Sequence, residues 1–395
     1  MPTTTELFGG TMLSPVPDPY SVYRRLRREQ PVIQVQSLLG DDYLVTRYDD
    51  VVTALKNPDV FSSRGNARGI GLVMGRTILE MEGKEHVRHR NLVTPFLARS
   101  ALRGGLEVTI ARIANELIDR FAGQGHADLV SQFTFVFPIR VVTHIVGIPV
   151  EDYEAFHHWA IDLISVGEDP PRGFAASQRI VDYLRPVLEE RKAQPRGDLL
   201  SALAQAEVDG DRLTDEEVLS FLRLLIPAGA ETSYRLIGSA LFALLAHPEV
   251  LDEVRADPAA LDLAIEETLR WESPVQYVSR ETTETVSVSG VEIPAGALIS
   301  VALGSANRDE THYADPDRFD LHRRADDHVG FGLGQHFCAG SFLARAEARI
   351  AIGALLDRLK SVRLDTSQPS QVVGLAFRSP DRLPVTFEPE SAGRS

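Results

Sequence analysis

One cysteine occurs in the 395 residues, Cys338, within Phe331-Gly332-Leu333-Gly334-Gln335-His336-Phe337-Cys338-Ala339-Gly340, and a helical pattern follows at once. A lone cysteine is ordinarily a small buried hydrophobe. Its neighbours here suit another task. Glycines before and after let backbone approach a flat object and leave amides free to face the sulfur. The dipole and N–H donors at a helix start favour the thiolate. This is what an iron-ligating thiolate requires. Two rival chemistries fail on the same residues. A dinucleotide loop needs G-x-G-x-x-G, but Phe337 stands at the third glycine. A cysteine nucleophile needs a base; His336 stands close in sequence, where side chains usually diverge, and no nucleophile signature surrounds the cysteine.

Three further constellations stand out. Ala228-Gly229-Ala230-Glu231-Thr232 sets an acid and an alcohol among small residues in an apolar helical stretch. Thr232 can simply bond a carbonyl one turn back, and Glu231 can be a satisfied buried acid. Buried acids are avoided unless paired or needed, and the small neighbours leave room for a ligand. Glu267 and Arg270 are three apart on one helix face, ordinarily a surface salt bridge. His86 and Arg90 in EHVRHR are four apart, so one face presents both. His86 with His89 hints at a metal pair, but no third ligand is evident.

The elements that must carry these groups are mostly helical. Residues 18–30 form an amphipathic pattern, and 31–46 read as two short strands around Gly40-Asp41-Asp42. A short helix over 48–57 follows. Residues 61–80, rich in glycine, read as a long mobile loop. Helical periodicity covers 84–122, 130–165 and 174–192, with 165–174 (SVGEDPPRGF) as a break and candidate lid. The clearest element is 215–246, opened by a Thr214/Glu217 capping box and stopped at His247-Pro248. It spans about 45 Å at about 1.5 Å per residue. Pro227 predicts a kink or local opening within it. A helix over 258–271, short strands over 277–301, an irregular 307–330 and a last helix over 341–359 complete the chain.

Composition bounds the answer. Acidic residues outnumber basic ones 56 to 41, a net charge of −15, which argues against a polyanion binder. One cysteine excludes an intramolecular disulfide, Cys-rich zinc sites and cysteine-held iron–sulfur clusters. No apolar run approaches a membrane span, and the amino terminus lacks a signal-peptide pattern. The expected product is cytoplasmic.

The pattern F-x-x-G-x-x-x-C-x-G over Phe331–Gly340 resembles the haem-binding loop of the cytochrome P-450 superfamily. The resemblance runs over roughly 18–388, one large domain between tails 1–17 and 389–395. It implies a mainly α fold with small β-sheets, a triangular prism. Haem b (iron protoporphyrin IX) would lie between the 215–246 helix and the helix starting near 341. Cys338 would be the axial ligand, with Phe331, Gly332, Gly340 and Ala228 bordering the cofactor. His86, Arg90, Arg280 and His336 match the family's partners for the two haem propionates, which need cationic donors. The AGAET segment matches the oxygen-activation motif, so Glu231 and Thr232 would deliver protons. Glu267, Arg270 and Arg318 match a structural Glu–Arg–Arg network. Pro227 is unusual before the Ala-Gly pair.

The activity implied is oxidation of a hydrophobic small molecule, by hydroxylation or epoxidation, with one oxygen atom of O2. Segments matching substrate-contacting regions are 61–80, 165–174, Leu224 and Leu225, Val275–Val278, and Leu375–Phe377. The chain has no flavin or cluster site, so electrons would come from a ferredoxin and ferredoxin reductase docking at Arg88, Arg345 and Arg349. No nucleic acid, membrane or second copy is expected. The alternatives are a peroxygenase or oxidative coupling enzyme on the same haem fold, or a non-catalytic haem sensor.

Overall fold

The computed structural model describes residues 1–37, 40–149 and 153–390. Its centre is α9, Asp215–Ala246, which begins where the sequence predicts: the Thr214 hydroxyl accepts from the Glu217 N–H, and the Glu217 carboxylate accepts from the Thr214 N–H. Buried residues lie on nearly every side of it. The helix runs unbroken through Pro227, so the expected opening is absent. Proline removes one ladder bond, and packing on all sides holds the rest.

Around α9 stand α6 (Phe137–Val146), α7 (Tyr153–Ile164), α8 (Pro170–Ala193), α10 (Ala260–Trp271) and α11 (Ser341–Arg358). Helix α5 (Glu107–Ile118) packs on α11. Their apolar faces merge into one large core. Earlier in the chain are α1 (Thr4–Phe8), α2 (Tyr20–Glu29), α3 (Tyr48–Lys56) and α4 (Gly83–Leu97). A five-stranded sheet lies beside the helices, in the order β1 (Val32–Ser37), β2 (Gly40–Val45), β5 (Leu298–Val301), β4 (Val278–Thr282) and β3 (Phe61–Ser62). β2 and β5 are parallel; the other pairs are antiparallel.

Several boundaries differ from the sequence reading. Gly40–Asp42 belongs to β2 instead of forming the hairpin turn, and Leu38 and Leu39 lie outside the described residues. Residues 61–80 are not a structureless loop: they hold β3, a 3-10 turn at Ser63–Arg68 and a helical turn at Gly71–Met74. Val73, Met74 and Ile78 anchor them in the core. The proposed lid is shorter than 165–174. Asp169 caps α8, and Pro170 and Pro171 form its first turn, where a missing N–H costs nothing. Residues 1–17, set apart as a tail, are tied down: Thr3 bridges Gln36, and the Met12 carbonyl accepts from Ala376 N–H. Among the described residues, no helix is long and apolar enough to cross a membrane.

Candidate active site

The cysteine loop joins the irregular segment after β5 to the start of α11. Gly332 and Gly334 take φ of +68° and +71°, conformations that favour glycine. A side chain at Gly334 would also strike the Leu55 carbonyl. The loop folds back so that the Cys338 N–H donates to the Phe331 carbonyl at 2.9 Å. Burial pushes the Cys338 thiol up, while the Gly340 N–H and the positive charges of Arg90 and Arg345 act to lower it. A bare thiol is thus disfavoured as thiolate, and a metal cation at the sulfur reverses that balance. Arg345 lies over the Phe331 ring, 4.5 Å from its centroid, and fixes the ring at the loop entrance.

Beside the loop, four basic side chains converge from three parts of the chain. His86 and Arg90 come from α4, Arg280 from β4 and His336 from the loop. The His86 and His336 ring centroids are 4.4 Å apart. Arg90 donates to the Gln335 carbonyl, and Arg280 to the Ser279 carbonyl at 2.7 Å. None of the four makes a salt bridge among the described residues. His86 Nδ1 and His336 Nε2 are buried without hydrogen-bond partners among the described residues. Burial lowers the pKa of all four; it takes Arg280 to about 10 and, together with the charges of His86, Arg280 and Arg90, takes His336 to about 3. Uncompensated buried cations and orphaned imidazole nitrogens are costly. They fit a ligand with two carboxylates, which is the donor demand of a haem next to a thiolate. His89 Nδ1 bonds the Glu85 carbonyl and its ring stacks on Phe221, and the described residues hold no group of three metal-ligating side chains.

On α9, Ala228 is exposed although the helix around it is buried, so it borders open space. Gly229 does not: a Cβ there would meet Val142 of α6 at 3.0 Å. Its smallness serves helix packing, which corrects the expectation that both residues make room for a ligand. Thr232 Oγ1 donates to the Ala228 carbonyl at 2.8 Å. Glu231 is buried and paired twice, with Arg235 at 3.1 Å and His157 Nε2 of α7 at 3.2 Å. Although burial raises its pKa, the His157 hydrogen bond and the Arg235 charge bring it below the usual value. Phe135 stacks on His157, with centroids 3.4 Å apart.

The structural network differs in one member. Arg270 grips Glu267 with two bonds of 2.7 and 2.8 Å, and its remaining donors reach the carbonyls of Asn307, Pro316 and Arg318. The second arginine on Glu267 is Arg323, at 3.3 Å. Arg318 offers only its backbone oxygen, because its side chain is exposed. Arg318 stands five residues too early for its side chain to reach back under α10.

The docking arginines are also paired: Arg88 with Asp209, Arg345 with Glu266 and Arg349 with Glu107. Arg345 and Arg349 line a groove with Arg99, Arg103 and the exposed Phe342. Arg99 and Arg103 make no salt bridge among the described residues, and Arg99 stacks on Phe342 at 4.5 Å. Among the substrate residues expected, Leu225, Val275, Val278 and Phe377 are partly exposed, whereas Leu224 and Leu375 are buried. Only Phe377 of the six lines the 680 Å3 cavity between the amino-terminal segment, residues 65–70, the α7–α8 corner and the sheet.

A mainly helical fold with a thiol loop, a cation cluster and an acid–alcohol pair defines a haem-thiolate oxidase class. The comparisons agree with it. The family model described as Cytochrome P450 matches residues 154–379. Cytochrome P450 107B1 of Saccharopolyspora erythraea is 38% identical over 388 residues, with 93% of this chain and 95% of the relative covered. Cytochrome P450 monooxygenase PikC of Streptomyces venezuelae is 37% identical, with 90% and 87% covered. The myxobacterial cytochrome P450 CYP267B1, solved in complex with myristic acid, superposes with a TM-score of 0.88 at 32% identity, with 98% and 100% covered. The chain belongs to the cytochrome P450 family and is a P450 monooxygenase, and the family's cofactor is a haem held by a cysteine thiolate.

Sequence reasoning missed His157, Arg235 and Arg323. Arg235 was within reach of the pattern, four residues after Glu231 on one helix. His157 comes from a helix 74 residues away and carries no local signal.

Proposed function

We propose that the chain binds haem b and adds one atom of O2 to a hydrophobic small molecule, by hydroxylation or epoxidation, with electrons from a ferredoxin and its reductase. The observation that carries this reading is the cluster of His86, Arg90, Arg280 and His336, which makes no salt bridge among the described residues, beside the chain's single thiol. Bound through Cys338, the haem supplies the redox chemistry that cleaves O2. The protein's own groups do the rest. Cys338 donates charge as thiolate. The four basic side chains orient the propionates. Thr232 holds a proton at Oγ1 next to the open space at Ala228, and Glu231 is kept ionised by Arg235 and His157, ready to relay protons inward. Phe331, Gly332 and Gly340 give the cofactor a close backbone wall.

The fatty acid in the related myxobacterial enzyme supports an apolar substrate here, as do the apolar residues expected to contact it. Arg99 and Arg103, in the groove with Phe342, suit an acidic ferredoxin better than the arginines already paired, because neither makes a salt bridge among the described residues. The protein works as a cytoplasmic monomer, without nucleic acid or membrane. The test is reconstitution. Haem-loaded protein with NADH or NADPH alone should not turn over an apolar substrate; adding a ferredoxin and its reductase should start turnover. Its rate should fall with salt, which screens exposed charges over about 10 Å at 0.1 M. Turnover with reduced nicotinamide alone would overturn the need for a separate donor.

A further inference from the structure

The 680 Å3 cavity has an unusual charge inventory. Among the described residues its lining includes Asp42 and Glu168 but no lysine, arginine or histidine. The sheet register explains how Asp42 arrives there. Asp42 pairs with Leu298, while Ser300, two residues further along β5, pairs with Ser279. Directly paired residues, and residues two apart on a strand, share a face. Asp42, Leu298, Ser300 and Ser279 therefore form one patch of the cavity floor.

Aspartate is depleted from strands, and this one is poorly served. Its Oδ2 accepts from the Ser300 hydroxyl at 2.5 Å. Its Oδ1 is buried and has no hydrogen-bond partner among the described residues. Burial raises its pKa, opposed in part by the Ser300 hydroxyl and the Ser300 and Tyr43 N–H groups, and no basic group among the described residues offsets its charge. Glu168 is in a different state. Its two oxygens are occupied by the Thr11 hydroxyl at 2.9 Å and the Leu13 N–H at 2.8 Å, and so tie the amino-terminal segment over the cavity. A carboxyl removed from water with an oxygen left over costs free energy. A positive charge from outside the chain offsets that cost, and the uncompensated Glu168 charge adds to the same field.

We infer that this cavity receives a hydrophobic organic cation, an apolar molecule bearing a basic amine, with its ammonium group against Asp42. The inference deepens the substrate reading above and rests on it only in taking the cavity as the route toward the haem. The apolar body lies along the remaining walls, to which Ile70, Val166 and Phe377 contribute. Asp42 is thereby a specificity-determining residue that selects for charge at a distance from the oxidised carbon.

The test uses the haem-loaded protein and three probes of equal chain length: N,N-dimethyldodecylamine, 1-dodecanol and dodecanoate. Affinity is read by equilibrium dialysis. The amine should bind about tenfold tighter than the alcohol, and dodecanoate should bind weakest. Asp42→Asn should bring the ratio of amine to alcohol affinity to about one, whereas Asp42→Glu should retain the preference. Equal affinities in the unaltered protein, or a preference that survives Asp42→Asn, overturn the assignment. Should Asp42→Asn not fold, Ser300→Ala decides. A carboxylate without its hydroxyl donor should hold the amine at least as tightly, and weaker binding overturns the assignment. The haem spectrum separates this inference from the reading beneath it. An Asp42-dependent preference with no probe perturbing the iron's spin state supports the cation site and overturns the cavity as the route to the haem.

Discussion

The imidazole ring centroids of His86 and His336 are 4.4 Å apart, and each ring buries one nitrogen that has no hydrogen-bond partner among the described residues. Burial lowers the pKa of each histidine, and nearby positive charge adds to the effect, from Arg90 on His86 and from His86, Arg280 and Arg90 on His336. They are neutral donors awaiting acceptors. Replacing either with phenylalanine keeps the ring volume and removes the donor. A hydrogen bond to a charged group is worth about 1.5–3 kcal/mol, so haem should dissociate about ten- to a hundredfold faster. Transfer of haem to apomyoglobin measures that rate. An unchanged rate in both variants would count against propionate binding.

Cys338 offers a sharper spectroscopic test. Burial disfavours its thiolate in the absence of a metal, with the Gly340 N–H, Arg90 and Arg345 opposing that effect. Cys338→His and Cys338→Ser should therefore lose the carbon-monoxide absorption band specific to thiolate ligation, because neither replacement donates comparable charge. Persistence of the band in either variant would refute axial ligation by Cys338.

Thr232 keeps its hydroxyl on the Ala228 carbonyl and beside open space. Thr232→Ala should leave haem binding and apolar-ligand binding nearly intact. Without a positioned hydroxyl, protons arrive poorly placed. Reducing equivalents should then appear as hydrogen peroxide at the expense of product. Measuring product and peroxide per nicotinamide consumed decides the matter, and unchanged coupling would remove Thr232 from oxygen activation.

The parts of this site that were legible in the sequence are those written locally. Cys338 is fixed by glycines within four residues of it, and the ends of α9 are fixed by Thr214, Glu217 and His247. Groups that meet across the fold carried no such signal. Arg323 displaces Arg318 because the irregular 307–330 segment turns in ways that spacing does not reveal. Asp42 looked like part of a turn because Gly40-Asp41-Asp42 has turn composition, yet β2 absorbs all three. The glycine-rich 61–80 segment was misread for a related reason: its helical turns are held by Val73, Met74 and Ile78 in the core, with little periodicity of their own.

The Glu267 network yields a prediction that separates the two arginines. Arg318 contributes only its carbonyl, so Arg318→Ala should change stability by no more than about 0.5 kcal/mol, as exposed positions do. Arg323→Ala removes a 3.3 Å contact to Glu267 and should cost more. Arg270→Ala leaves Glu267 buried with most of its compensation gone, a loss of about 3–5 kcal/mol. Denaturant melts of the three variants rank them, and a larger loss for Arg318→Ala than for Arg323→Ala would contradict the geometry.

Glu347 on α11 supplies the pH dependence. It is buried against α9, one oxygen lacks a partner among the described residues, and burial raises its pKa from 4.5 to about 8, with the Ser233 hydrogen bond opposing only part of the shift. The folded chain therefore keeps this proton where the unfolded chain releases it. Between pH 4.5 and about 8 the folded state binds more protons, so this group's contribution to stability declines as pH rises through that window and is constant beyond it. Glu347→Gln preserves the shape and the hydrogen-bonding capacity but does not titrate. Its stability relative to the unaltered protein should accordingly improve steadily from about pH 5 to about pH 8. Urea unfolding of both proteins across that range measures the difference. A difference that stays constant with pH would show that Glu347 is already ionised in the folded chain, and that the contact with Ser233 stabilises a carboxylate.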